Sequence, residues 1–230
     1  MTSRISQLPL ALRLEQQASF DSFVDEAGAG VIEHVRGVAR GERRESVWIW
    51  GAPGTGKSHL LAAACREAAT TGLRAIYIAL NSSEDTGLLS ELDSMSLIAL
   101  DDVHLVAGIA EWERALFRVF DSRLETGGLI AAAAHAPREC GFVLDDLKSR
   151  AQAAGVHRLP RLDDTGLAEA ISRHAAKRGL DLDDAARNYL LRRLSREIAD
   201  ITSWLDRVDA YALAAQRRIT VPLLRELMES

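Results

Sequence analysis

The segment Gly51-Ala-Pro-Gly-Thr-Gly-Lys-Ser58 constrains this chain more than any other stretch. It fills every position of the G-x-x-x-x-G-K-S phosphate-binding pattern. A β-like run, Val47-Trp48-Ile49-Trp50, precedes it, and a helix-like run opening with His59-Leu60-Leu61 follows. Strand, loop and helix in that order separate a phosphate-binding loop from a glycine turn with an incidental lysine. Gly51, Gly54 and Gly56 let the backbone turn tightly, so that successive N–H groups face phosphate oxygens. The helix N-terminus adds its positive end. Lys57 supplies a point charge for the β- and γ-phosphates, and Ser58 offers a hydroxyl to Mg²⁺. With Thr55 and His59, these residues form the expected binding set for ADP or ATP.

Bulk properties narrow the remaining possibilities. A chain of 230 residues suffices for one large domain, or for a domain with a small companion. The formal net charge of −5 argues against strong direct DNA binding, which favours a basic footprint. No apolar run is long enough to span a membrane. The N-terminal stretch makes a poor signal peptide, because its short apolar run contains Pro9 and ends at Arg13. Cys65 and Cys140 lack C-x-x-C or zinc spacing, so two free thiols in a reducing cytoplasm are expected. The histidines form no H-E-x-x-H pair, which leaves a metal-hydrolase reading without support.

Patterning divides the chain into three parts. Residues 1–17 are polar, lack a sustained period and read as a mobile tail. Residues 18–162 read as an α/β nucleotide-binding domain. Helical spacing runs through Val31, Val35 and Val38, and apolar runs at Ala75–Leu80, Leu97–Leu100 and Leu129–Ala134 read as buried parallel strands. Helices are expected at Ser58–Thr70 and Glu111–Leu124, the second with an apolar face of Trp112, Leu116, Val119 and Phe120. Val156–Leu159 is a candidate last strand. Strands that alternate with helices imply a parallel sheet with covered faces. Residues 163–230 lose the strand signal, and Leu167–Arg178, Asp183–Leu194, Glu197–Ala215 and Val221–Met228 read as a small all-α domain. Gly179 is the expected C-cap of the first of these helices and Thr220 the N-cap of the last.

The strand at Leu97–Leu100 runs into Asp101-Asp102. A carboxylate at the C-terminal edge of the sheet, beside the phosphate loop, is where Mg²⁺ finds an oxygen ligand. Asp101 fits this Walker B role. Asp102 could polarise a water for attack on the γ-phosphate.

Together these residues resemble the AAA+ ATPases of the DnaA branch, and most of all the Hda family of DnaA-related regulatory proteins. Phe20-Asp-Ser-Phe23 is similar to the F-x-x-F segment that opens the nucleotide core of that branch. Gly51–Ser58 and Leu97–His104 are similar to its Walker motifs, Leu147-Lys-Ser-Arg150 to the L-x-S-R of its arginine-finger helix, and Leu194-Ser-Arg-Glu-Ile198 to the sensor 2 helix of its lid. The resemblance implies an AAA+ P-loop core with a parallel sheet, followed by a small helical lid. It implies that Arg150 reaches the γ-phosphate of a nucleotide on a neighbouring subunit, and that Arg196 turns back to the phosphates of its own. One departure stands out. The strand ending at Ala134 is followed by His135 rather than the family's usual polar sensor 1 residue. Slow or absent intrinsic ATP turnover is therefore expected.

The tail carries Gln7-Leu8-Pro9-Leu10-Ala11-Leu12, which resembles the short Q-L-x-L clamp-binding peptide of the same family. A glutamine that fixes orientation and closely spaced aliphatic anchors on a flexible tether suit a hydrophobic pocket. Gln7, Leu8, Leu10 and Leu12 are the candidate contacts with the DNA polymerase III sliding clamp (β subunit). The sequence reaches Ser230 directly after the helical segments, and nothing in it supplies the helix-turn-helix domain of DnaA. Origin recognition by this chain alone is not expected. Three functions remain in view: a regulatory adaptor with DnaA and the clamp as partners and possible self-association, a self-contained DnaA-like ATPase or helicase loader, and a DNA-binding initiator disfavoured by net charge and length.

Overall fold

The structure, a computed structural model, describes residues 18–25, 30–83, 85–90, 92–194, 197–215 and 219–229. In chain order its elements are α1 (Val31–Ala39), β1 (Ser46–Trp50), α2 (Lys57–Thr70), β2 (Ala75–Ala79), β3 (Leu97–Asp101), α3 (Ala110–Thr126), β4 (Gly128–Ala133), α4 (Asp145–Ala153) and β5 (Gly155–Arg158). Four helices follow: α5 (Asp164–Lys177), α6 (Asp184–Arg193), α7 (Ile198–Ala215) and α8 (Val221–Glu229). Short 3₁₀ turns lie at Phe20–Ser22 and Val103–Val106, among others.

The strands pair in parallel in the order β2-β3-β4-β1-β5. Apart from Ser46 at the start of β1 and Asp101 at the end of β3, β1, β3 and β4 are apolar (β4 opening on Gly128), and all three are nearly wholly buried, as expected of parallel strands covered on both faces. Side chains of β1 alternate between two cores. Trp48 packs with Leu116, Phe120 and Leu129 beneath α3, while Val47 and Ile49 pack with Val35, Leu60 and Ile130 beneath α1 and α2. β5 is an edge strand, and exposed Val156 and Arg158 alternate there with half-buried Gly155 and His157. Trp112, Leu116, Val119 and Phe120 are buried on α3, the face that their spacing predicts.

The helical region has its own core of Leu167, Ile171, Leu190, Ile201, Leu205 and Leu223. Its helix ends follow local chemistry. Asp163 accepts the Gly166 N–H at 2.8 Å and Asp183 accepts the Ala186 N–H at 2.7 Å, both as N-caps. Gly179 takes φ +70°, and the Leu180 N–H returns to the Ala175 carbonyl at 3.0 Å to close α5. Among the described residues, no helix is long and apolar enough to cross a membrane. Cys65 and Cys140 are free, and burial pushes the Cys140 thiol up to about 12.

Two buried charges on α3 escape its apolar patterning. Arg123 on α3 donates to the Met95 carbonyl at 2.7 Å, tying the helix to the loop before β3. Glu113 on α3 accepts the N–H groups of Gly108 (2.7 Å), Val143 (2.9 Å) and Leu144 (2.6 Å), and so fixes the loop that leads into α4. Burial would raise its pKa, but these donors outweigh burial and hold the carboxylate below its ordinary value. The stabilisation it gives is therefore present above the unfolded-state pKa and is lost as pH falls through the folded one. Glu113→Ala orphans three backbone donors and should cost about 3 kcal/mol. A drop of about 6–12 °C in melting temperature is expected on that basis. Thermal melts should show the deficit shrinking at acidic pH, and an unchanged melting point would overturn this role.

Candidate nucleotide site

The phosphate loop hangs between the end of β1 and the start of α2. Gly54 and Gly56 take φ +78° and +88°, in the left-handed region that glycine alone adopts without strain. A Cβ on Gly56 would come within 2.9 Å of the Phe23 ring, and one on Gly51 within 2.4 Å of the Leu159 carbonyl oxygen. Thr55 closes the turn by donating to the Ala52 carbonyl at 3.0 Å. The Lys57 ammonium is nearly buried and donates to the carbonyls of Gly51 (2.8 Å) and Ala52 (2.9 Å). Burial lowers its pKa, against the pull of Asp101 and Asp102 in the other direction. Ser58 is exposed in the first turn of α2.

Asp101 ends β3 and is almost wholly buried. One oxygen accepts the Tyr77 hydroxyl at 2.7 Å and the other the Asp102 N–H at 2.9 Å. Asp102 has φ +56°, the one positive φ outside glycine among the described residues, and accepts the Asn81 side-chain amide at 2.8 Å. Burial, then the neighbouring Asp101 charge, raises its pKa. His104 receives the Ala134 N–H at Nδ1 (3.3 Å), and its ring stands edge-on to that of His135 at 6.0 Å. His135 is exposed just beyond β4, and its carbonyl accepts from Trp48 Nε1 at 3.1 Å. Tyr77, Asn81 and His104 were missed in the sequence. Strand register brings Tyr77 here, while Asn81 and His104 sit in the 3₁₀ turns that follow β2 and β3; His104, three residues beyond Asp101, could have been suspected.

The remaining site candidates are distributed as follows. His59 places Nε2 at 3.0 Å from the Ser19 carbonyl and stands edge-on to His174 of α5 at 5.4 Å. Arg150 is on α4, and its half-exposed guanidinium bonds Asp121 of α3 at 2.7 Å. Arg196 and the tail residues Gln7, Leu8, Leu10 and Leu12 lie outside the described residues. Glu197 is described, and a Cβ on Gly54 would meet its Cγ at 3.0 Å, so this part of the lid rests on the phosphate loop.

Family profiles decide the assignment. The bacterial DnaA ATPase domain matches residues 14–157, and the Hda lid domain matches residues 163–228. The chain belongs to the bacterial DnaA ATPase family. Its Hda-type lid places it with Hda, the DnaA-related regulatory proteins. Solved structures agree on the fold. Domain III of Thermotoga maritima DnaA is 19% identical with a TM-score of 0.74, over 93% of this chain and 96% of that one. AMPPCP-bound DnaA from Aquifex aeolicus is 23% identical with a TM-score of 0.68, over 86% of this chain and 67% of that one. The Thermotoga maritima RuvB branch-migration motor is 18% identical with a TM-score of 0.66, over 94% and 72%.

The DnaA-type residues fit the nucleotide that such proteins bind. A left-handed glycine cradle with no room for side chains, a buried lysine and a helix N-terminus together suit phosphate. Ser58 and Asp101 are hard oxygen donors of the kind Mg²⁺ selects.

Asp102 offers a test of these electrostatics. A carboxyl with a raised native pKa binds its proton more tightly folded than unfolded, so its charge opposes folding at neutral pH. Asp102→Asn removes that charge, can still accept from Asn81 and tolerates the left-handed backbone. It should melt above the wild type at neutral and mildly alkaline pH. The gap should close as pH falls through the native Asp102 pKa, and a lower melting point at neutral pH would contradict the arrangement.

Proposed function

We propose that this chain is a nucleotide-bound AAA+ adaptor that regulates the initiation of chromosome replication in the bacterial cytoplasm. It comprises a clamp-binding tail (1–17), a nucleotide core (18–162) and a lid (163–230). It binds the DNA-loaded sliding clamp through Gln7, Leu8, Leu10 and Leu12, and presents Arg150 to ATP-bound DnaA. Hydrolysis then occurs on DnaA, leaving it in the inactive ADP form.

The observation that carries this reading is the setting of Arg150. Its guanidinium sits on the surface of α4 and, among the described residues, is tethered by a half-exposed pair with Asp121. Such pairs are worth about 0–1 kcal/mol, so a phosphate oxygen of higher charge density displaces the carboxylate readily. Glu113 holds the loop before α4, which keeps the arginine-bearing helix in a set position. Within the chain's own site, the phosphate loop and Lys57 would hold ADP or ATP, with Ser58 and Asp101 as Mg²⁺ ligands. Asp102 would orient water, and Arg196 would report nucleotide to the lid. His135 in place of the usual sensor 1 residue supports weak turnover here.

The completeness of Lys57, Ser58, Asp101 and Asp102 favours a second reading, a self-contained ATPase or helicase loader. Single-turnover hydrolysis of ATP preloaded on DnaA, with clamp and DNA present, separates the two. Arg150→Ala should keep nucleotide binding and melting temperature yet lose stimulation on the order of 10³–10⁵-fold. Arg150→Lys should not restore it, because an ammonium lacks the planar fork. Full activity of the alanine variant would leave the second reading.

The tail has its own test. Gln7→Ala with Leu8→Ala should abolish capture by the sliding clamp while melting temperature stays the same. Retained capture would move the contact elsewhere.

A further inference from the structure

The edge strand β5 is held to α1 by a short chain of polar side chains. His34 of α1 places its Nδ1 at 2.7 Å from Nε2 of His157 on β5, and the two rings stand edge-on with centroids 4.9 Å apart. The other His34 nitrogen, Nε2, lies 3.0 Å from Glu45 Oε1, on the loop before β1. The approach is close, since a Cβ on Gly155 would come within 2.4 Å of the His34 ring. Leu159, the residue after β5, bonds the Trp50 carbonyl at 2.8 Å. The strand held in this way therefore flanks β1, which launches the phosphate loop.

A bond between two imidazole nitrogens needs one proton, not two. The Glu45 carboxylate accepts from His34 Nε2, so in the neutral pair His34 Nδ1 is the acceptor and His157 donates from Nε2. One added proton is accommodated, because one ring becomes cationic, the other stays neutral, and the bond persists. A second added proton puts N–H on both facing nitrogens and brings two positive charges within hydrogen-bond distance, where they repel. Few neighbouring charges offset this. The loop before β1 contributes Glu45 and Arg43, 3.6 Å apart, and the segment before α1 contributes Asp25. On α1, Glu33 and Arg36 lie near His34 in sequence, and Arg36 is directed to Asp21 and Glu67. On β5, Arg158 lies over the Trp50 ring, and β1 carries no charged residue. Burial, then His34, lowers the pKa of His157, against the opposing pull of Asp25.

We propose that the His34–His157 pair is an acid-sensitive latch, which fastens β5 to α1 while it holds at most one added proton and releases the strand when a second enters. Two titratable nitrogens in direct contact, with a carboxylate fixing the far side of one ring, carry this inference. In the unfolded chain both imidazoles take protons at about pH 6.5. The folded pair binds fewer, so the unfolded chain gains on the folded one as pH falls below that value. Where the difference is one proton, the unfolding equilibrium shifts about tenfold per pH unit. Well above about pH 6.5 neither state is protonated here, and the latch is closed.

Denaturant unfolding of the full chain from about pH 8 to about pH 5 tests this, with His157→Gln beside the wild type. Glutamine donates to His34 Nδ1 or, with its amide turned, accepts from it, so it tolerates either state of His34 and takes no proton itself. The remaining histidines are common to both proteins, so the difference between them isolates the latch. Below about pH 6.5 the wild type should lose ground to the variant by up to about tenfold in the unfolding equilibrium per pH unit. At the alkaline end the gap between them should be constant. A second measurement uses the unaltered protein. The imidazole ¹⁵N signals of His34 and His157 should show one ring protonating at a lower pH than the other. Hydrogen-exchange protection of the Gly155–Arg158 amides should fall in step with that second protonation. The same pH dependence in wild type and variant would overturn the proposal. So would two rings that titrate independently while protection of β5 stays unchanged.

Discussion

The phosphate loop keeps its shape because β1 is clamped on both sides. Trp50 is in register with Ala133 of β4 and Arg158 of β5, and the Gly51 N–H extends the ladder to the Ala133 carbonyl at 3.3 Å. The Leu159 N–H bonds the Trp50 carbonyl at 2.8 Å, which brings the chain leaving β5 directly over Gly51. That approach leaves no space for a Cβ at position 51. The strand that launches the loop and the segment that leads to the lid are thereby locked at one point.

A second coupling runs through the turn at Phe20–Ser22. Arg173 of α5 donates to the Phe23 carbonyl at 2.7 Å, Lys177 donates to the Ser19 hydroxyl at 2.9 Å, and Phe23 packs over Gly56. His59 joins the same turn from α2. The turn therefore acts as a wedge between the core and the lid, held by hydrogen bonds from both.

At the far side of the loop the electrostatics are set by crowding. Lys57, Asp101 and Asp102 share a small, partly buried volume, where burial and then the Asp101 charge raise the cost of charging Asp102. Bound Mg²⁺ inverts such a balance, because a divalent cation rewards adjacent carboxylates. The same principle explains the contrast with Arg150, which is half-exposed and weakly paired. Lys57 and Asp101 are buried and pre-set, while Arg150 remains at the surface, where it can change partners.

Much of this was legible in the sequence. The G-x-x-x-x-G-K-S spacing, the apolar runs ending at Asp101 and Ala134, and the period of α3 each reflect local rules: backbone freedom at glycine, burial of both strand faces, and one apolar helix face. The same holds for the Gly179 cap, where only the left-handed backbone mattered. What tertiary structure alone decided are the contacts made across elements. Tyr77 meets Asp101 because β2 pairs with β3 in a particular register, Glu113 reaches loops thirty residues away, and His59 meets Ser19 and His174. The pairing of His34 with His157 is of the same kind. A side chain's periodicity tells which face of its own element it occupies, but its chemical partner depends on what another element places opposite that face, and that is fixed only when the chain has packed.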